Sequence, residues 1–222
     1  MALLLTSDAA SYAQLPSFED ATKAFAALTS REELLGACEA LVRLHGLGNL
    51  VGIDIKHKHF DLPTGTVLVE RQYVAEASAV MKPEASSDIV GAITPTAFFF
   101  SGGCWQPHEY VLDSPEATTA LATVLAAPDF LEALADLLRG HAAAGYLGFH
   151  LLHRGFLGGS TVETPGVAPH ELLLRPYTEQ LRDELQRNPK DIQQVAWAWG
   201  SKGPIGHHCL VCYHCQHCTA HR

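Results

Sequence analysis

Residues 41–60 have the sequence LVRLHGLGNLVGIDIKHKHF, and residues 137–156 have the sequence LLRGHAAAGYLGFHLLHRGF. At an offset of 96 positions, six residues of the two stretches are identical. The pairs are Leu41 and Leu137, Arg43 and Arg139, His45 and His141, Gly52 and Gly148, His57 and His153, and Phe60 and Phe156. Self-similarity at a fixed offset is typical of an internal repeat. The sequence therefore predicts that one structural unit occurs twice.

The similarity continues on both sides of these stretches. SFEDATKAFAAL (17–28) aligns with SPEATTALATVL (114–125) at an offset of 97, and TAFFFSGG (96–103) aligns with VAWAWGSK (195–202) at an offset of 99, which places His108 on His207. Short insertions in loops account for such small changes of offset. We predict a first repeat over residues 1–113, a diverged second repeat over 114–211, and a Cys/His-rich tail over 212–222.

Hydrophobic periodicity predicts that each repeat begins with two helices and continues with an antiparallel-type sheet. Serines at positions 17 and 114 are expected to cap the first helix of each repeat. The predicted fold class is α+β, with two pseudo-symmetric repeats packed closely together. The predicted helices cover 17–28, 32–45, 115–126 and 129–142; the predicted strands cover 50–59, 66–74, 96–101 and 108–112, then 146–154, 169–175, 195–200 and 207–212; loops are expected at 81–88 and 187–191.

Two histidines stand out at the end of the predicted strand 50–59. Alternate strand residues face the same side, so His57 and His59 continue the apolar face of Val51, Ile53 and Ile55 and are expected to be buried. A hairpin through DLPTG (61–65) would bring Glu70 beside them. Two histidines and a carboxylate can hold a divalent metal ion. A hydrogen-bonded core pair and solvent exposure remain as alternatives.

Three further residues are candidates for the same chemistry. His108 and Glu109 offer another ligand or a general base, and because they are adjacent on a predicted strand only one of them is expected to face the site. His153, the counterpart of His57, is either a metal ligand or a hydrogen-bonded core histidine.

The C-terminal tail is dense in metal-binding residue types. Cys209, Cys212, Cys215 and Cys218 are spaced three residues apart, with His207 and His221 on either side. Two C-x2-C pairs separated by only two residues are too crowded for one zinc shell, so we expect some of these side chains to bind Zn²⁺ together with ligands from the second repeat. An iron–sulfur centre and a thiol-rich tail without metal are the alternatives.

The composition excludes several classes of protein. The net charge of −9, with only 15 Lys and Arg residues, argues against nucleic-acid binding. No apolar run is long enough for a membrane span, and the clustering of the cysteines favours the cytoplasm. Phosphate-binding loops, nucleophile elbows and dinucleotide fingerprints are missing from the sequence.

The segments HKHFDLPTGTVLVE (57–70), TPTAFFF (94–100) and PHEYVL (107–112) together resemble a set of small, uncharacterised, mainly fungal proteins. These proteins share an H-x-H-F, a later glutamate and a proline–aromatic–glutamate segment. The resemblance implies that His57, His59, Phe60, Glu70 and Glu109 form a linked group, and it implies no reaction.

We therefore hypothesise a protein that binds a divalent metal, with Zn²⁺ as first choice and Fe or Cu as alternatives. It would be either a metal-dependent enzyme, acting as a hydrolase, a lyase or an Fe-dependent oxidase, or a zinc-stabilised scaffold or metal buffer. The substrate or protein partner stays open.

Overall fold

The computed structural model describes residues 2–4, 9–185, 192–200 and 203–210. These residues form six helices and eleven strands, which confirms the α+β class. The helices are α1 Ala9–Ala13, α2 Phe18–Ala27, α3 Arg31–Leu44, α4 Pro115–Leu125, α5 Pro128–Gly140 and α6 Glu179–Leu185. The strands are β1 Ala2–Leu3, β2 Val51–Ile55, β3 Thr66–Tyr73, β4 Ser78–Ala85, β5 Ile93–Ser101, β6 Cys104–Leu112, β7 Leu147–Leu151, β8 Thr161–Pro165, β9 Leu172–Pro176, β10 Ile192–Gly200 and β11 Gly203–Leu210.

The four predicted helices are confirmed as α2, α3, α4 and α5. Ser17 Oγ accepts a hydrogen bond from the backbone of Asp20, and Ser114 Oγ accepts one from the backbone of Ala117, so both predicted N-caps are present. Each cap satisfies a backbone N–H that the first helical turn leaves without an internal partner. In the described residues, no helix is long and apolar enough to cross a membrane.

The strands form one curled sheet in the order β1-β6-β3-β4-β9-β8-β11-β10-β2-β7-β5. Because β6 also pairs with β5, the two ends of this order meet and ten strands close on themselves, with β1 added beside β6. A closed sheet has one face directed inward and one directed outward. Helices can therefore cover the outside while other side chains fill the interior.

Strands from the N-terminal and C-terminal halves of the chain pair with each other at several places in this sheet. β2 lies between β10 and β7, and β4 pairs with β9. In the β2–β7 pair, Ile53 lies opposite Phe149. The N-terminal and C-terminal halves thus share hydrogen-bonded ladders in several places.

The two faces of β2 differ in character. Val51, Ile53 and Ile55 are buried in a hydrophobic cluster that includes Leu34 of α3 and Leu138 of α5, so this face lies under the helices. The alternate residues Gly52 and Asp54 face the other way, toward the interior of the curled sheet.

The hairpin predicted to place Glu70 beside the histidine pair is wrong. β3, which carries Glu70, pairs with β4 and β6, whereas β2 pairs with β10 and β7. β2 also ends at Ile55, before His57. Closure of the sheet explains the difference, since strands adjacent in sequence need not be adjacent in a ring that joins both halves of the chain.

Three strands were not predicted: the two-residue strand β1, and β4 and β8, which both have weak hydrophobic patterns. β4 occupies part of the predicted loop 81–88. Its sequence did not indicate a strand, because only Ala79 and Met81 are buried and Pro83 is typical of turns. β8 has the sequence TVETP. The expected loop 187–191 lies outside the described residues, as do positions 211 and 212 of the last predicted strand.

Candidate functional site

A polar cavity of about 40 Å³ lies inside the curled sheet, which we call the inner cavity. Since one water needs roughly 10–15 Å³, this space suits a few waters or one ion. Strands β2, β4, β5, β6, β7, β8 and β10 contribute to its wall, together with the segments that follow β2 and β7. The polar lining residues are Asp54, His57, His59, Thr96, His108, Glu109, His150, His153, Arg154 and Glu163.

His57 is a buried, neutral imidazole. Its Nδ1 lies 2.9 Å from the carbonyl oxygen of Ile55, so Nδ1 carries the proton and the lone pair is on Nε2. The ring packs edge-on against Phe18 of α2 and lies 4.6 Å, between centroids, from the ring of His59. Burial, and then the nearby His59, lower the pKa of His57 to about 3. Both imidazoles are buried, as the sequence predicted. They line the inner cavity, however, and do not continue the face of Val51 and Ile53 under the helices, because β2 ends at Ile55.

His59 lies between two carboxylates from different strands. Its Nε2 is 3.7 Å from Glu109 Oε1 on β6, and its Nδ1 is 3.5 Å from Glu163 Oε1 on β8. Burial opposes protonation of this ring, but Glu163 and Glu109 outweigh burial and raise its pKa. The backbone N–H of His59 donates to the hydroxyl of Tyr12, a fully buried phenol whose pKa burial raises well above its ordinary value.

His108 and Glu109 both line the inner cavity, which contradicts the prediction that only one of them could face it. In the pairing of β5 with β6, Ala97 lies opposite Glu109 and Phe98 lies opposite Pro107, so His108 forms a bulge. A bulge redirects a side chain that strict alternation would send to the other face. His108 Nε2 lies 3.7 Å from Glu109 Oε1.

The ionisation of these two side chains is shifted in the direction that favours metal ligands. Burial, followed by the charge of Lys56, lowers the pKa of His108 to about 3, so the ring is neutral. Burial opposes ionisation of Glu109, but His59 and His108 lower its pKa to about 2, so the carboxylate is charged. Neutral imidazoles and charged carboxylates are the forms that bind metals.

Glu70 lies against a different histidine. Arg154 Nε donates to Glu70 Oε2 at 2.7 Å, and His153 Nε2 lies 3.2 Å from the same oxygen. Burial alone would raise the pKa of Glu70, but Arg154 and His153 hold it well below its ordinary value. The structure therefore brings Glu70 to His153, and it brings Glu109 and Glu163 to His59.

A second buried ion pair lies on β2. Lys56 Nζ donates to Asp54 Oδ2 at 2.5 Å and to the carbonyl oxygen of Phe149 at 3.1 Å. His150 of β7 lies 3.5 Å from the same Asp54 oxygen. A side chain at Gly52 would overlap His150, so the absence of a Cβ there makes room for this ring.

Sequence reasoning missed Glu163, Asp54, His150 and Arg154. Glu163 lies in β8, which was not predicted. The sequence TVETP did contain a signal for this site, because a charged residue inside a β-branched run needs a partner when it is buried. Asp54, His150 and Arg154 lie within three residues of His57 or His153 in the sequence and were not singled out.

The tail falls mostly outside the described residues. His207 and Cys209 belong to β11, where they pair in register with Thr161 and Glu163. Cys212, Cys215, Cys218 and His221 lie beyond the described residues. Within the part of the chain that the structure describes, no group of three or more His, Cys, Asp or Glu side chains forms a ready-made metal shell.

No protein-family model, curated protein or solved structure matches this chain. The site therefore has to be interpreted from its own geometry.

Proposed function

We propose that the chain binds a divalent metal ion in the inner cavity through His59, His108 and Glu109. The observation that carries the proposal is that His59 Nε2 and His108 Nε2 each lie 3.7 Å from the same oxygen, Glu109 Oε1. This separation is too long for a hydrogen bond. It is close to the roughly 3.4 Å between two ligands held about 2.1 Å from a tetrahedral ion. A small movement of the side chains would complete the shell.

The surroundings of His59 also fit a metal ligand. Glu163 lies on the Nδ1 side of the ring, opposite the proposed metal side. A carboxylate in that position orients a ligating histidine and increases its basicity. The tautomer of His57 places a lone pair on Nε2, which makes this residue the candidate for a fourth ligand.

The charges of the lining support a cation. Three carboxylates, Asp54, Glu109 and Glu163, line the inner cavity. Asp54 pairs with Lys56, and Arg154 pairs with Glu70. Glu109 and Glu163 both lie beside His59, and a divalent ion would compensate two buried carboxylates more fully than one protonated imidazole does.

The proposed internal repeat supports the same assignment. The reciprocal bonds from Lys56 N to Tyr146 O and from Leu152 N to Leu50 O join positions that the sequence alignment matches at an offset of 96. The alignment also matches His153 with His57. Arg154 supplies the cation beside Glu70 and His153, and we propose that a metal supplies the cation beside Glu109 and His59.

We favour an enzyme over a scaffold or a metal buffer because a second, larger cavity adjoins the site. Its wall shares His150, His153, Arg154 and Ala196 with the inner cavity. A catalytic metal needs such an opening toward a substrate, whereas a structural metal is enclosed by its ligands. Zn²⁺ or Fe²⁺ suits two histidines and one carboxylate, and either would polarise a bound carbonyl group or water.

Calorimetric titration with Zn²⁺ tests the proposal. In the full chain, the substitutions Cys212→Ser, Cys215→Ser and Cys218→Ser remove three of the four clustered thiols and leave only Cys209. We expect this protein to bind about one ion per chain. Adding Glu109→Gln should weaken binding by at least about tenfold, and adding Glu163→Gln should weaken it by about 10- to 100-fold.

The matched control is Glu84→Gln in the same background. Glu84 is a half-buried carboxylate of β4 that pairs with Arg71, away from the inner cavity. Its replacement should leave the Zn²⁺ affinity unchanged. Equal affinities for the Glu109→Gln, Glu84→Gln and parent proteins would refute the metal site.

A further inference from the structure

The second cavity, which we call the outer cavity, has a volume of about 290 Å³. Most of its wall is apolar or small, including Leu151, Leu152, Ala198, Gly155 and Gly159. A cavity of about 150 Å³ holds one benzene molecule. The outer cavity therefore has room for one or two rings, or for a short branched chain.

We propose that the outer cavity binds the apolar body of a small organic anion whose charged end points to the inner cavity. This inference rests on the proposed metal site, since the metal would receive the charged end. The shared wall of His150, His153, Arg154 and Ala196 marks where the two cavities adjoin.

The space exists because β10 carries small side chains on its inner face. Ala196 lies opposite Asp54 and Ala198 lies opposite Gly52 on β2. The sequence alignment matches Ala198 with Phe99 of β5, which is buried and packs edge-on against His108. Where β5 has a phenyl ring, β10 has a methyl group, so the volume at Ala198 is left for a ligand.

The charges near the shared wall favour an anion. Arg154 lines both cavities, but its guanidinium pairs with Glu70. A metal bound by His59 and Glu109 would add two positive charges on the inner side. The metal would therefore provide most of the attraction for an anion and the repulsion of a cation. Glu116 also lines the outer cavity, but it is exposed, and solvent screens its charge.

Three probes of similar shape and different charge test the inference: benzoate, benzyl alcohol and benzylamine. Each is titrated by calorimetry into the full chain with the three tail substitutions, loaded with Zn²⁺. We expect benzoate to bind at least about tenfold more tightly than either of the other two probes. Equal or tighter binding of benzylamine, or no binding of benzoate, would overturn the inference.

The variant Ala198→Phe introduces the phenylalanine that β5 carries at the matching position, Phe99. It should weaken benzoate binding by at least about tenfold and leave Zn²⁺ affinity unchanged, because Ala198 does not line the inner cavity. Ala122→Phe, on the exposed side of α4, is the matched control and should change neither the benzoate affinity nor the Zn²⁺ affinity.

If Zn²⁺ does not bind, the proposed function fails. If Zn²⁺ binds but Ala198→Phe binds benzoate as tightly as the parent, only the further inference fails.

Discussion

Arg154 and His59 each lie beside buried glutamates. Arg154 is permanently cationic and pairs with Glu70. His59, whose pKa Glu163 and Glu109 raise, lies 3.7 Å from Glu109 and 3.5 Å from Glu163. The first arrangement is a structural ion pair, and the second is the place where we propose a metal ion.

Arg154→Met should be strongly destabilising. Removing one partner of a buried ion pair leaves an uncompensated charge and costs about 3–5 kcal/mol of unfolding free energy. The matched control is Arg71→Met, which breaks a half-exposed pair with Glu84 and should cost about 0–1 kcal/mol. Urea denaturation of both variants measures the difference, and equal losses would contradict the structural role of Arg154.

The same ion pair predicts a pH dependence. Because the pKa of Glu70 lies below its ordinary value of 4.5, the stabilisation is complete above that pH and is lost as the pH falls further. The double variant Glu70→Gln with Arg154→Met lacks this titration. Its unfolding free energy should therefore fall less steeply than that of the wild type below pH 4.5. Parallel curves from urea denaturation at several pH values would contradict the assignment.

At the scale of elements, the neighbours of β2 and β7 leave room only for glycine at two matched positions, Gly52 and Gly148. A methyl group at Gly148 would overlap the carbonyl oxygen of Phe98 and the side chain of Lys56. Gly36, on the exposed side of α3, has nothing within 4 Å of an added Cβ. Substitutions at the two glycines therefore distinguish the effect of close packing from the effect of backbone flexibility.

Gly148→Ala should lower the unfolding free energy by about 2–3 kcal/mol, because the backbone must shift to accept the methyl group. Gly36→Ala should raise it by about 0.5–1 kcal/mol, because alanine favours the helix. Thermal denaturation of the two variants measures both signs. A neutral Gly148→Ala would show that β7 does not pack against Phe98 of β5 as described.

The sequence predicted the elements that have strong local patterns. It did not predict strand partners or side-chain directions that depend on the tertiary structure. The capped, periodic helices and the burial of His57 and His59 follow from local sequence. The partners of β3 depend on closure of the sheet, and a bulge turns His108 and Glu109 toward one cavity. Neither effect leaves a local signal, so Glu163 and not Glu70 lies beside His59.

At the scale of the whole molecule, the two halves of the chain complete one sheet. β2 lies between two strands of the C-terminal half, and β7 lies between two strands of the N-terminal half. Neither half keeps all of its hydrogen-bonded partners when the other is unfolded. The proposed repeats therefore form one cooperative unit.

Calorimetric unfolding should accordingly show a single transition, with equal calorimetric and van't Hoff enthalpies. A shared ladder cannot break on one side without exposing backbone groups on the other. Two separate transitions, each accounting for about half of the enthalpy, would mean that the halves unfold independently.

Anomalous diffraction from crystals grown with Zn²⁺, recorded on both sides of the zinc absorption edge, tests the proposed metal site most directly. The structure predicts a peak inside the curled sheet, within bonding distance of His59 Nε2, His108 Nε2 and Glu109, at about 2.0–2.2 Å from each ligand. An inner cavity without a peak, in crystals whose Cys/His tail carries zinc, would contradict the proposed site.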